Sequence, residues 1–466
     1  MILRLFASTI TVLILAGCAT FSDNGGFGAV ETAARERLNK DVTWARDDTD
    51  RDAIRVRVTE LLKEPLTVDA AVQIALLNNR ELQATFAELG IAEAERVRAG
   101  RLPNPGFSYA RLRREGDIEI ERGMHFDLLA FIALPFASRI EDKRFEQTKV
   151  VVAGEALALA ARTRQAYFRA VAAQEAVNYM TQVKEAAEAG AELANRMARV
   201  GNWNKLAHLR EQTFYAEATA QLARAKQAAT AERERLTRLM ALWGEEAKFQ
   251  LPERLPDLPK VPEERQDVEQ TALAQRLDVQ MAKRETESVA RSLGLSKATR
   301  FINVLEVGYL RNSETGEPDQ TGYEIRFELP IFDFGSARVA KAEALYMQAV
   351  NRAAQIAINA RSEAREAYVG YRTAYDLAKH YRDEIVPLRK KISEENLLRY
   401  NGMLIGVFEL LADAREQAAS VSNYIESLRD FWIAHNDLDT TLLGKSPGEK
   451  NGAGMKAAAP VAAAGH

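Results

Sequence analysis

The sequence predicts a mainly α-helical protein with a small β part, built around two copies of a long coiled-coil hairpin. Three observations predict this. First, two Ala-rich heptad tracks run through the chain in strict steps of three and four. One passes through Val152, Ala156, Leu159, Thr163, Ala166 and Ala170, the other through Ala353, Ala357, Ala360, Ala364, Ala367 and Tyr371, an offset of 201. A sustained 3.5-residue period means helices wrapped left-handedly around neighbours, and alanine on the seam lets backbones approach closely. Each track closes just before a glycine, Gly201 or Gly402. Second, no proline interrupts Phe136 to Leu251, and only Pro387 interrupts Ile331 to Ser446. At about 1.5 Å per residue each long arm reaches roughly 80 Å. Third, each hairpin is preceded by a pair of strand-like runs.

In chain order, residues 1–17 read as a processing signal. Arg4 supplies a positive charge, and Leu5 to Leu15 form an apolar run too short to span a bilayer. Leu15-Ala16-Gly17-Cys18 then resembles the bacterial lipoprotein box, with Cys18 as the lipid-attachment residue and Ala19 pointing to the outer membrane. Cys18 is the sole cysteine, so the processed chain keeps no free thiol to pair. Residues 18–65 are polar and weakly periodic, which predicts an extended N-terminal segment.

The first repeat is expected over 66–250. Thr67 is its N-cap candidate, and Leu82, Phe86 and Leu89 share a helix face. Strands are expected at 107–113 and 122–134 and a long hairpin at 136–243. Residues 251–265, with Pro252, Pro256, Pro259 and Pro262, predict a stiff surface linker. The second repeat, 266–444, has strands expected at 301–311 and 322–329 and a hairpin at 335–443. Its second strand alternates cleanly, with Tyr323, Ile325, Phe327 and Leu329 on one face. Strands of this length with one apolar face suit a tilted bilayer-spanning barrel or a small soluble sheet packed on helices. The Gly/Ala-rich 445–466 reads as a disordered tail.

A formal charge of −3, from 63 basic and 66 acidic residues, gives no footprint for nucleic acid. The five histidines, His125, His208, His380, His435 and His466, have no partner at metal-ligand spacing. No nucleophile elbow or phosphate loop occurs, so neither catalysis nor a cofactor is expected. Glu394-Glu395 reads as a solvated helical pair or as part of an electronegative mouth.

Across 66–444 the order of elements resembles the outer-membrane efflux protein family, the TolC-like exit ducts of tripartite pumps. The resemblance rests on Asn79-Arg80-Glu81-Leu82-Gln83, Leu102-Pro103-Asn104-Pro105, Leu329-Pro330-Ile331-Phe332-Asp333 and the second tip, Tyr400 to Leu411. Arg210-Glu211-Gln212 and Arg415-Glu416-Gln417 follow the two tips, and the Leu-Pro-Asn-Pro segment is similar to the heavy-metal branch. The resemblance implies a homotrimer in the outer membrane, lipid-anchored, with a periplasmic extension. Four strands per chain would make a 12-stranded barrel, and the hairpins a periplasmic tunnel. It implies a periplasmic adaptor docking at Val200, Gly201 and Asn202 and at Asn401, Gly402 and Met403. An inner-membrane transporter of the resistance-nodulation-division class would supply the energy. Aperture residues would be Glu409, Asp413 and Tyr400, with Arg399 and Arg415 as basic partners. This sequence departs from the family pattern at Met403, where glycine is usual, so Gly402 stands one residue early. A type I secretion duct and a non-conducting coiled-coil lipoprotein are the alternatives.

Overall fold

The computed structural model describes residues 20–114, 117–298, 305–327, 332 and 334–444. Cys18, the 1–17 signal, the 445–466 tail, the start of the 301–311 strand and the end of the 322–329 strand lie outside these residues. The order is α1 (Gly28–Leu38), α2 (Asp48–Leu61), α3 (Val68–Asn78), α4 (Arg80–Ala99), β1 (Gly106–Arg114), β2 (Asp117–Asp127), α5 (Leu128–Arg199) and α6 (Lys205–Met240). Then come α7 (Val268–Gln275), α8 (Leu277–Ala298), β3 (Leu305–Glu314), β4 (Gln320–Phe327), α9 (Ser336–His380), α10 (Val386–Asn401) and α11 (Val407–Leu443). A single π-helical turn, Tyr381–Ile385, joins α9 to α10. The chain divides into two compact units.

The first unit comprises Met1–Val30, Ala84–Ala153 and Asp278–Ile358 and holds the sheet. Its strands are antiparallel in the order β1-β2-β3-β4, so β1 and β4 are open edges. The register places Phe107, Met124, Tyr309 and Tyr323 in one cross-strand row, with Phe126, Val307 and Ile325 in the next. Opposed residues project from the same face, so one face is apolar and aromatic. The other carries Ser108, Gly123, His125, Gly308 and Glu324. There the His125 ring lies over two glycines. A Cβ on Gly308 would meet His125 Nδ1 at 2.8 Å, and His125 Nε2 is 3.1 Å from Ser108 Oγ. Elsewhere in this unit the N-terminal residues are pinned to helices. Both the backbone N–H and the hydroxyl of Ser22 donate to the buried Glu93, and Phe27 packs edge-on against Phe86 at 4.9 Å. Gly26, at φ +78°, lets the chain pass where a Cβ would sit 2.5 Å from Phe145.

The second unit comprises Glu31–Gln83, Gly154–Leu277 and Asn359–His466. Its core follows the heptad seams: Ala156, Leu159, Thr163, Ala166 and Ala170 on α5, Ala360, Ala364, Tyr371 and Ala378 on α9, all buried. Thr163 stays on an apolar seam because its hydroxyl donates to Leu159 O at 2.8 Å. The Tyr167 hydroxyl donates to Leu66 O, and burial pushes its pKa up to about 12, keeping it a neutral donor. The Asn78 and Asn79 amides satisfy the last carbonyls of α6, at Leu239, Met240 and Ala241.

Three expectations are corrected. The second strand ends at Asp127, not at 134. Leu128 to Leu134 is a continuous apolar run that suits either state, and the Asp127 carboxylate, accepting from Ala130 N–H at 2.8 Å, caps it as helix. Pro135 then sits inside α5 at the cost of one ladder bond. The stretch expected to be extended over 18–65 instead carries α1 and α2, the latter capped by Asp47 and burying Ile54 and Val58. Residues 251–265 are packed rather than a free surface linker. Leu255 and Leu258 are buried, and Trp432, Tyr375 and Glu175 bond the segment's backbone. Its prolines remove donors that would otherwise need partners.

Ala360 is wholly buried within its own chain. Ala360→Leu should therefore cost about 1–3 kcal/mol by overpacking. Thermal unfolding followed by circular dichroism should show the loss. Val369→Leu, on an exposed site of the same helix, should leave the transition in place.

Candidate functional site: the hairpin tips and the pair behind them

Both tips lie in the second unit and both close by the same hydrogen-bond pattern. At the first, Asn202 N–H bonds Met197 O and Gly201 N–H bonds Ala198 O. At the second, Leu404 N–H bonds Arg399 O and Met403 N–H bonds Tyr400 O. These are Schellman turns, which need one residue in the left-handed region. Gly201 takes it at φ +80°, Met403 at φ +59°. The structural equivalent of Gly201 is thus Met403, an offset of 202, whereas the seams are offset by 201. A π-turn inserts one residue into a helix, and Tyr381–Ile385 supplies the extra position. It stands just before Pro387, whose ring would otherwise crowd the carbonyl four residues back.

Left-handed backbone costs a non-glycine residue about 1 kcal/mol. Met403→Gly should return that amount, read as slower amide exchange over residues 398–404. Unchanged or faster exchange there would argue against a strained tip.

The tips present apolar side chains to solvent. Val200, Leu206 and Leu209 are exposed at the first, Leu398, Met403 and Leu404 at the second, with Met403 93% exposed. Asn204 caps α6 by accepting from Ala207 N–H at 2.8 Å. Gly406 precedes α11, and Glu409 reaches back to accept from Gly406 N–H at 2.5 Å. Glu409 is therefore an exposed helix-capping carboxylate, ion-paired to neither Arg399 nor Arg415. Arg399 pairs with Glu395 at 3.2 Å. Tyr400 contributes its carbonyl to the turn.

Arg415 instead reaches Glu211 on α6, and this pair lies behind the tips. Glu211 is 1% exposed. The Arg415 guanidinium also lies over the Phe214 ring at 4.5 Å. Beside the pair is a cavity of about 240 Å³ lined by Tyr179, Val183, Ala187, Phe214, Leu411 and Gln417. Gly190 opens toward Leu411 and Glu211. Asp413 is buried too, and its Oδ2 has no partner among the described residues. On the exposed side Arg389 of α10 pairs with Glu416 of α11. Sequence reasoning named Glu211 only as part of the Arg-Glu-Gln motif after the first tip and missed its pairing with Arg415, 204 positions away. Its signal, a charged residue on an Ala-rich hairpin, looks like any solvated helix position. Among the described residues no cluster of metal-ligating side chains occurs, and no helix is long and apolar enough to cross a membrane.

No protein-family model matches the chain. The cobalt-zinc-cadmium resistance protein CzcC of Cupriavidus metallidurans is 24% identical over 311 residues, covering 64% of this chain and 70% of CzcC. Among solved structures, the CmeC outer membrane channel of Campylobacter jejuni superposes with a TM-score of 0.70 at 18% identity, covering 82% of this chain and 87% of CmeC. CusC, whose structures concern folding and transmembrane channel formation, superposes at 0.67 and 18% identity, covering 81% and 92%. The open-state MtrE outer membrane channel of Neisseria gonorrhoeae does so at 0.68 and 16%, covering 81% and 89%. The chain has the fold of the TolC-like outer-membrane channels.

Proposed function

We propose that this protein is the outer-membrane exit duct of a tripartite efflux system, conducting passively what an adaptor and an inner-membrane transporter deliver. The sheet carries the reading. Four strands with one apolar, aromatic face and two open edges cannot stand alone in lipid, where each unpaired backbone group costs several kcal/mol. Three copies joined β1 to β4 would close a 12-stranded barrel and remove every edge. Within it the polar face, with Ser108, His125 and Glu324, would line the lumen.

The tip residues Val200, Gly201 and Asn202 and Asn401, Gly402 and Met403, among which Val200 and Met403 present exposed apolar side chains, are the proposed adaptor contacts. Glu211 and Arg415 hold the two return helices together and are proposed as the latch of the aperture, with the buried Asp413 two positions before Arg415 on the same helix. Glu409 is retained as a mouth residue only, because its carboxylate is engaged by its own helix. The resemblance to CzcC favours divalent metal ions as cargo. Deleting the gene should sensitise cells to cobalt, zinc or cadmium. Undiminished resistance to all three, with raised sensitivity to organic drugs, would assign a drug pump.

Cys18 is the proposed lipid attachment, which would place Ser22, seated on Glu93, four residues from the membrane anchor. Mass spectrometry of the mature protein should find a lipid-modified Cys18 at the N-terminus. An unmodified start elsewhere would remove the anchor.

A further inference from the structure

Gly190 is out of place on the first hairpin. It lies inside α5, among the buried alanines Ala187, Ala191 and Ala194. An added Cβ would meet Leu411 at 3.5 Å and Glu211 Oε2 at 3.7 Å, both ordinary contact distances. Alanine would therefore fit, and glycine in a helix interior costs stability relative to alanine. No turn, left-handed backbone or close helix approach requires the glycine here. Its structural effect is to leave space, because Gly190 lines the cavity behind the tips.

That cavity has a matched set of walls. Tyr179, Val183, Ala187, Phe214 and Leu411 make it apolar and partly aromatic, and its volume is about 240 Å³. An apolar cavity of roughly 150 Å³ takes one benzene ring, so this one has room for a ring with a short side arm. Glu211, 1% exposed, is the single charged residue in the lining. Arg415 bonds Glu211 Oε1, while no hydrogen bond reaches Oε2 among the described residues, and Oε2 is the oxygen turned toward Gly190. The Arg415 guanidinium also lies over the Phe214 ring. Carboxylate and ring thus already hold one cation, and the second carboxylate oxygen is left to the cavity.

We propose that this cavity binds a small organic cation, an ammonium group on an aromatic or branched apolar body. Glu211 Oε2 accepts from the ammonium in a charge-assisted hydrogen bond, and Tyr179 and Phe214 flank the apolar body. A neutral ligand lacks that charge term, and an anion is repelled by the buried carboxylate. Two cations on one carboxylate compete. The ligand weakens the hold on Arg415, and Arg415 weakens the hold on the ligand by the same factor. Where this pair is the latch proposed above, the ligand acts as an opener; that consequence, unlike the site itself, rests on the duct reading.

The test uses the full-length protein in detergent with benzylamine as the probe, and benzyl alcohol and benzoate as its neutral and anionic counterparts. Binding is read by calorimetry and by the shift of thermal unfolding. The parent should bind benzylamine at least tenfold more tightly than either counterpart. Glu211→Gln should lower that affinity about tenfold or more, whereas Arg415→Ala should raise it about tenfold by removing the competing cation. Opposite shifts from the two partners of one ion pair are not what damage to a merely structural pair would give. Gly190→Ala, which keeps the pair and serves if Glu211→Gln does not fold, should raise the unfolding temperature yet weaken benzylamine binding. Equal affinity for benzylamine and benzyl alcohol would overturn the cation assignment. Parent-like benzylamine binding in Gly190→Ala, or weaker binding in a folded Arg415→Ala, would overturn the site. Planar-bilayer recordings separate this site from the duct. Benzylamine should lengthen the openings of the parent. Binding with unaltered pores removes only the opener role, pores without binding remove only the site, and binding without pores removes the duct.

Discussion

Arg415→Ala is expected to loosen the tips and raise the conductance of the duct several-fold. The mutation leaves Glu211 buried without its cation, and removing one partner of a buried ion pair costs about 3–5 kcal/mol. Arg415 keeps partial solvent access, so the lower end of that range is the better guide. The loss falls on the contact between α6 and α11, the two return helices, and not on the seams of α5 and α9. Helix content should therefore survive while the tip contact weakens. Glu211→Gln should act in the same direction with a smaller effect, because the amide can still accept from the guanidinium. A double-mutant cycle on the two positions should return a coupling energy above about 1 kcal/mol. Unchanged conductance in Arg415→Ala, with the fold intact, would remove this pair from the aperture.

Ile325→Arg should abolish assembly while leaving the isolated helical units folded. Ile325 is 62% exposed on the apolar face of β4, opposite Val307. On a soluble sheet such a substitution would fall within about 0.5 kcal/mol of neutral. In a lipid-facing row it would cost up to about 2–4 kcal/mol per copy, the more the deeper the row lies in the bilayer, and three copies would carry it at once. Gel filtration in mild detergent should show the trimer lost. A stable trimer of the Ile325→Arg variant would mean that this face does not meet lipid.

The architecture was legible because two periodicities carry it. The heptad steps through Val152 to Ala170 and Ala353 to Tyr371 place the seams without any tertiary information, and the alternation of Tyr323 and Ile325 picks out the apolar face of β4. The failures have local causes. Leu128 to Leu134 contains no alternation, so the strand could not be separated from the helix that Asp127 caps. The segment before residue 66 has little apolar periodicity because α2 buries only Ile54 and Val58 in an otherwise charged helix. The second turn was placed one residue early because Gly402 is the residue expected to turn left-handed. The structure gives that conformation to Met403, and the compensating insertion is a π-turn that no residue type announces. Glu409 drew notice by its place in the tip pattern, yet an acidic residue three positions after a helix start is first a cap. The buried carboxylate, Glu211, lies on the other hairpin, and only the packing of α6 against α11 brings it to Arg415.

Whether three chains make one pore is the central claim, and single-channel recording of the purified full-length protein in planar bilayers tests it most directly. The account predicts discrete, uniform pores, with larger and longer openings in Arg415→Ala and none in Ile325→Arg. A folded, detergent-stable protein that inserts and yet passes no ions, in the parent and in Arg415→Ala alike, would contradict it.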